Sequence, residues 1–429
     1  MKKYSIGLDL GTSSVKAVLF SKEDGIVAKE TAGFEYKQSY LPGGAEYLGI
    51  DAEKFYKTVV SVIGRLAARL PSGATVLGLS MASASGNSIL CDRDGKAIID
   101  GYSWLNKPFN EEIKSVFGDD FGSEVREKAG WGLSGSFPLG QLSHLRLNAP
   151  ELLDRADRVC MMTEYVLHRL TGRWGIDVST ATPFSILDQK AREWNREYLD
   201  ALGIEEKKLP PLMESGQLLG ELTLEGSTDT GLPSGVKVYL GSFDHPSAAR
   251  ANDIRRQGEL LVSCGTSWVC FFPISDRAKI IEHSYLCDPF LTPEGPWGAM
   301  ASLARASERI KEIVDRYISD GEDKFEVLDS LVALAEPGAG GLVLNPMGEL
   351  ADLSGYPKEN IARALMEGIA TELKKRVSGV VEVNRIAMCG GPSVSKMWRQ
   401  VISEVFGVPV TVTYGAYSGA VGAAMHAFN

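Results

Sequence analysis

The chain opens with short apolar runs broken by small-residue turns. Ser5 to Leu10 reads as a strand, Gly11-Thr12-Ser13-Ser14 as a tight turn, and Val15 to Phe20 as a second strand rich in branched and aromatic residues. Ile26 to Thr31, after the Glu23-Asp24-Gly25 turn, completes an antiparallel meander. From Asp51 the period changes: Phe55, Val59, Val62, Leu66 and Leu70 recur at helical spacing behind an Asp N-cap, which predicts an amphipathic helix over the sheet. Val76 to Ser80 then reads as a buried strand, Ile89 to Asp92 with the Asp94-Gly95 turn as a further strand pair, and Met161 to Leu170 as a helix ending near Gly172.

Around Leu209 to Gly235 the pattern loosens, with Pro210, Pro211 and Pro233 among turn residues, before the apolar strand Val236 to Gly241. A domain boundary is expected there, dividing the chain into 1–241 and 242–429. The second part predicts a strand-turn-strand from Glu259 to Phe272, helical periodicity around Ala301 to Ile318, and a strand at Leu342-Val343-Leu344. A helix through Ile361, Leu365, Ile369 and Leu373 follows, with Asn360 as its cap. The tail reads as strand Ile386 to Cys389, a Gly-Gly turn, a helix from Ser395 to Phe406, strand Val408 to Val412 and a small-residue helix. The class is mixed α/β.

Composition narrows the function. With 429 residues, 44% hydrophobic and 23% charged, the chain has ordinary globular proportions and the length of two to three domains. A formal charge of -10 repels nucleic acid and anionic membranes. No apolar stretch approaches the ~20 residues of a membrane span, and Asp9 interrupts the run a signal peptide needs, so a cytoplasmic address is expected. The six cysteines form no C-x-x-C pair and are read as packing residues.

Gly11-Thr12-Ser13-Ser14-Val15 and Gly265-Thr266-Ser267-Trp268-Val269 share G-T-S-x-V, each at the tip of a predicted hairpin and one per predicted domain. Two related domains follow, with their hairpins expected to face a common cleft. A bare Gly-Thr-Ser turn exposes consecutive backbone N–H groups and hydroxyls, a nest for phosphate oxygens. Asp9, inside an apolar strand, is costly to bury without compensation, and a magnesium ion arriving with a nucleotide would supply it. Lys16 is placed to reach the same phosphates. The plain alternative is a hairpin with a surface acid. Gly390-Gly391-Pro392, between a strand and a helix, leaves flat backbone for a planar ring such as a nucleobase, although such junctions commonly serve only as turns. Asp244, in Gly241-Ser242-Phe243-Asp244-His245-Pro246, follows a strand and precedes a small-residue run. It suits either a general base on an acceptor hydroxyl or an N-cap, and the residues alone favour the cap. His144, His168, His283 and His426 offer His245 no ligand-spaced set, so no metal site built wholly from protein is expected.

Together these residues resemble the FGGY carbohydrate kinases, of the superfamily that also holds actin, the heat-shock chaperone ATPases and hexokinase. Gly7 to Lys16 is similar to that family's first phosphate motif, closest to the xylulokinase-like wording, with Lys16 where other members carry Arg. Ser263 to Ser267 is similar to the second phosphate motif, and Gly390-Gly391-Pro392 with Ser395 to Gln400 to the adenosine motif. Asp244 stands where the family carries its catalytic aspartate, which moves it from cap to base. Leu170-Thr171-Gly172 with Asp177 to Ala181, and Ala364 to Ala370, resemble further recurrent segments.

The resemblance implies two duplicated actin-like (ribonuclease H-like) domains and transfer of the ATP γ-phosphoryl group to a hydroxyl of a small sugar, polyol or sugar acid. It assigns magnesium to Asp9, phosphate contacts to Gly11, Thr12, Ser13, Lys16, Gly265, Thr266 and Ser267, and adenosine contacts to Gly390, Gly391 and Pro392. Asn87, Trp104, Asn106 and His245 are the candidate sugar contacts, and a homodimer is compatible with the same reading. Two segments depart from the family: Met81 to Asn87 stands where a Gln-Met-His type segment is common, and Trp104-Leu105-Asn106-Lys107 where Trp-Asn-Asp and Arg are usual. Both line the sugar site in relatives, so the identity of the sugar does not carry over. An actin-like or chaperone-like ATPase without sugar acceptor, and a degenerate sugar sensor, are the alternatives.

Overall fold

A computed structural model of the chain describes residues 2–292 and 294–428. It divides into two compact units, one of Met1–Ser247, Leu286–Pro289 and Gly419–Asn429, the other of Ala248–Tyr285 and Phe290–Ser418.

In the first unit β1 (Lys3–Leu10), β2 (Ser14–Ser21) and β3 (Gly25–Gly33) form the meander, each extending a little beyond the apolar pattern. Strand Thr75–Ser83 lies parallel to β1 on its other side, followed by Lys237–Tyr239, also parallel, and then by Leu218–Glu221. Alternation along β1 sends Ile6, Leu8 and Leu10 into one core, packed with Phe55, Val59, Ile63 and Leu66 of α1 (Ala52–Ala67). Asp51 caps α1, accepting from Lys54 N at 3.0 Å. The opposite face of β1 carries Gly7 and Asp9. It lies against the helix Ser418–Ala424, so closely that a side chain at Gly7 would collide with Ala420 O and Ala424.

The second unit repeats the topology. Glu259–Cys264 and Trp268–Ile274 form an antiparallel hairpin, Trp297–Leu303 adds to its second strand, and Arg385–Gly390 and Val410–Thr411 lie parallel beside its first. In both units a three-strand meander is thus extended by two parallel strands on the side of its first strand. That shared order is stronger evidence of duplication than the pentad.

Four sequence expectations fail. Leu342-Val343-Leu344 is no strand: it follows a short 3-10 turn, Ala339–Gly341, and Val343 is 94% exposed. The long helix starts at Lys358 behind Pro357, not after Asn360, because a proline whose own N–H is absent precedes a stretch of good helix formers. Ser88–Cys91 pairs with the distant Arg158–Met161, and only the bridge Cys91–Ala97 forms locally. The region from Ala301 also begins as strand, with the helix confined to Ala306–Tyr317. All six cysteines are buried.

Candidate active site

The first unit brings the carboxyl ends of three parallel strands to one edge, where open α/β sheets commonly bind ligands. Leu10 of β1 lies beside Ser83, and Ser83 bridges to Phe243. The Gly11 turn, the 84–87 loop and Asp244 therefore leave the sheet side by side. Ser83 N donates to Ser242 O at 3.3 Å and Ala84 N to Leu10 O at 3.0 Å, tying the three exits together.

Asp9 faces Lys16 across the β1–β2 pair. Its Oδ1 is buried and accepts no hydrogen bond, and Gly419 leaves no side chain against its Oδ2. Burial pushes the Asp9 carboxyl up to about 6; Lys16 opposes that shift and Asp244 adds to it, so the two carboxylates lie within electrostatic reach of each other. An orphaned, partly compensated carboxylate beside an open Gly-Thr-Ser turn has the donor chemistry for a hard cation. In the turn itself Gly11 N donates to Ser14 O at 3.1 Å, and Thr12 O accepts from the Tyr36 hydroxyl.

Asp244 opens the helix Asp244–Ala251, its side chain 26% exposed. Its Oδ1 accepts from His245 N at 2.7 Å. Pro246 has no N–H to offer, and Ser247 N, the amide a cap would hold, goes to Phe243 O at 3.1 Å. The cap bond to Ser247 N is therefore absent, and the carboxylate holds the adjacent His245 N instead. Phe243 N donates to Ser179 Oγ at 3.0 Å, and that hydroxyl donates to Asp288 Oδ2 at 2.6 Å, so the strand exit is fixed from below. His245 Nε2 stands 3.8 Å from Asp244 Oδ1.

The 84–87 loop turns through two left-handed residues, Ser85 and Gly86. A serine holds that conformation because its neighbours pin it: Ser83 Oγ accepts Ser85 N at 2.9 Å and Thr163 Oγ1 at 2.7 Å, while Ser85 Oγ donates to Thr180 O at 2.9 Å. Asn87 Oδ1 accepts Trp104 N at 2.9 Å. The Asn106 carboxamide is committed to main chain, accepting from Leu48 N at 2.6 Å and donating to Leu48 O and Ser103 O. Asn87 and Asn106 thus shape the loops that carry Trp104. A cavity of about 10 Å³ below the Gly11 turn, bordered by Ser83, Ser85 and Asn87, has room for about one water and none for a sugar.

Residues the sequence reading missed complete this side. Trp104 stacks on Phe137 at 6.3 Å, Phe137 meets Trp131 at 5.4 Å, Trp131 meets Phe243 at 5.4 Å, and Phe243 meets His245 at 5.6 Å. This aromatic file runs from the Trp104 loop to the residue beside Asp244. Buried Gln141 accepts Ser88 N at 3.0 Å and donates to Gly86 O and Ser136 O at 2.7 Å each. A polar residue inside the apolar run Pro138 to Leu145 was its signal.

In the second unit the Gly265-Thr266-Ser267 turn projects from its hairpin with Gly265 and Thr266 exposed. Gly390 lies directly beside Cys264 in the parallel pair, left-handed at φ 92°, and any side chain there would collide with Cys264 O. The Gly390-Gly391 turn and the Gly265 turn are thereby neighbours, as the Gly11 turn and the 84–87 loop are in the first unit. Among the described residues, no helix is long and apolar enough to cross a membrane.

Comparison with known proteins agrees with this architecture. Residues 4–250 match the N-terminal domain of the FGGY family of carbohydrate kinases, and residues 260–429 match its C-terminal domain. A gluconokinase of Bacillus subtilis is 24% identical, the alignment covering 99% of this chain and 86% of the relative. A xylulose kinase of Staphylococcus xylosus is 22% identical over 98% of this chain and 90% of its own. Among solved structures, gluconate kinase from Lactobacillus acidophilus superposes on 100% of this chain and 89% of its own with a TM-score of 0.86 at 21% identity. The chain belongs to the FGGY family of carbohydrate kinases. It is a phosphotransferase acting on sugar hydroxyls, with ATP as the phosphoryl donor.

Proposed function

We propose that the chain phosphorylates one hydroxyl of a small sugar, polyol or sugar acid, with Asp244 as general base. The observation that carries this reading is the common edge of the parallel strands, where the Gly11 turn, one residue beyond Asp9, and Asp244 flank the end of strand Thr75–Ser83. The acceptor lies over that edge, presenting its hydroxyl to the half-buried Asp244 carboxylate. As the hydroxyl oxygen attacks the γ-phosphorus, Asp244 takes the proton and ADP leaves. Base assistance contributes about 10²- to 10⁴-fold. Phosphoryl transfer has a loose transition state, so the remainder comes from alignment and charge.

The Gly11–Ser13 and Gly265–Ser267 turns hold phosphate oxygens through backbone N–H groups and hydroxyls, Lys16 adds charge at the first, and Gly390, Gly391 and Pro392 lie against the adenosine. Magnesium brought with the nucleotide neutralises phosphate charge when bound, and Asp9 is the residue that would hold it. Trp104 and His245 contact the acceptor; Asn87 and Asn106 position the Trp104 loop. The protein acts on its substrates in the cytoplasm, as domains 1–241 and 242–429.

A coupled ADP-release screen over pentoses, ketoses, polyols and aldonic acids tests the reading. Gluconate and xylulose go first, because relatives bear the names gluconokinase and xylulose kinase. One compound is expected to raise ADP release at least about tenfold over the sugar-free rate, the low end being far below the 10²-fold of a single catalytic group. ADP release indifferent to every sugar would favour the ATPase reading, and sugar binding without release the sensor.

A further inference from the structure

The duplicated hairpins differ in one respect that bears on nucleotide binding. Five residues beyond the first glycine stands Lys16, opposite Asp9; five beyond Gly265 stands Cys270, buried and uncharged in function. If the second turn holds anionic oxygens, its side-chain charge has to come from another element. Arg305 stands at that turn. Its backbone N donates to Ser267 Oγ at 3.2 Å, and two residues on Ser307 Oγ donates to Gly265 O at 2.6 Å while Ser307 N donates to Thr266 O at 3.2 Å. Trp268 Nε1 donates to the same Ser307 hydroxyl at 3.1 Å, so the start of the helix Ala306–Tyr317 is fastened to all of Gly265, Thr266 and Ser267.

Arg305 itself is left-handed, φ 57°, a conformation that costs a non-glycine residue energy. A glycine would serve that backbone at no steric cost, so the side chain is the reason to look for a role. The side chain is 80% exposed and, among the described residues, its ion pair is with Glu308 in the first turn of the helix it precedes, Nε to Oε2 at 2.7 Å. A surface pair of this kind is weak and readily exchanged. Phosphate is a stronger partner, because the guanidinium fork matches two of its oxygens.

We infer that Arg305 is a nucleotide-phosphate contact, leaving Glu308 to grip the phosphates of ATP or ADP at the Gly265–Ser267 turn. The inference rests on the reading of that turn as a phosphate site. It adds the cation which the duplication left out.

The test is calorimetric titration of the full chain with ADP and with adenosine, comparing parent, Arg305→Gly, Arg305→Lys and Gly265→Val. Arg305→Gly keeps the left-handed backbone free of strain and deletes only the side chain. At Gly265 a Cβ meets nothing nearer than Ser267 O at 3.6 Å, so a larger residue is accommodated by the fold while crowding the turn. Arg305→Gly is expected to bind ADP about tenfold more weakly and with a shallower salt dependence, adenosine binding being unchanged, and Arg305→Lys to recover part of the loss. Parent-like ADP affinity in Arg305→Gly, with Gly265→Val strongly impaired, overturns the role of Arg305 and leaves the turn as the phosphate site. Parent-like affinity in both variants overturns the turn as well.

Discussion

At the scale of single residues the two aspartates are set apart by what surrounds them. Asp9 is enclosed, its Oδ1 without a partner and its carboxyl raised to about 6 by burial. A raised carboxyl pKa costs stability: between its ordinary 3.8 and 6 the unfolded chain gives up its proton first, so folding weakens as pH rises through that window and stays weaker above it. Asp9→Asn should therefore melt higher than the parent at pH 7 to 8 without nucleotide, by on the order of 2 kcal/mol, the gap closing near pH 4. The same variant should lose magnesium-dependent turnover. Thermal melts across pH read the first effect, and a magnesium titration of ADP release reads the second; equal melting at pH 8 would show that Asp9 carries no burial cost. Asp9 and Asp244 were both legible in the sequence, because an acid inside or just after an apolar strand stands out. For Asp244 the residues alone favoured a cap, because the sequence does not show that Ser247 N bonds to Phe243 O rather than to the carboxylate.

At the scale of elements, the proposed acceptor site rests on loops rather than strands. Gly86 is left-handed at φ 81°, and a Cβ on it would come within 2.7 Å of the Phe137 ring and 3.3 Å of Trp104 Cβ. Gly86→Ala should shift the Trp104 loop and cost about 1–2 kcal/mol in backbone strain alone. The KM for the acceptor should rise several-fold while the KM for ATP stays near the parent value; a change in the ATP KM alone would place this loop elsewhere in function. Strand and helix positions were largely readable because period and caps are local signals: Asp51 and Ser395 each cap the helix the pattern assigned to them. The contacts that build the aromatic file and engage Gln141 were not readable, for they join segments far apart in sequence. Leu342 to Leu344 misled for the reverse reason, an apolar triplet with no sheet edge to receive it.

At the scale of the whole molecule, the repeated pentad marks a repeated topology, a meander plus two parallel strands in each unit. Each copy places a Gly-Thr-Ser turn next to the exit of a parallel strand, and the copies then diverge: the first keeps the acids and the aromatic file, the second the Gly390-Gly391 turn. Adenosine and acceptor contacts are thus predicted to separate by unit. Gly390→Ala, which forces a side chain into Cys264 O, should weaken ADP binding at least about tenfold while leaving sugar binding intact. Paired titrations with ADP and with the sugar check this, and a loss of sugar affinity alone would contradict the division.

The central claim is a proton taken from a sugar hydroxyl by Asp244, and Asp244→Asn tests it most directly. With the preferred acceptor at saturation, the rate of sugar-dependent ADP release in this variant should fall by about 10²-fold or more, while titrations show ADP and sugar bound as in the parent. Turnover within a few-fold of the parent, with binding likewise unchanged, would contradict it.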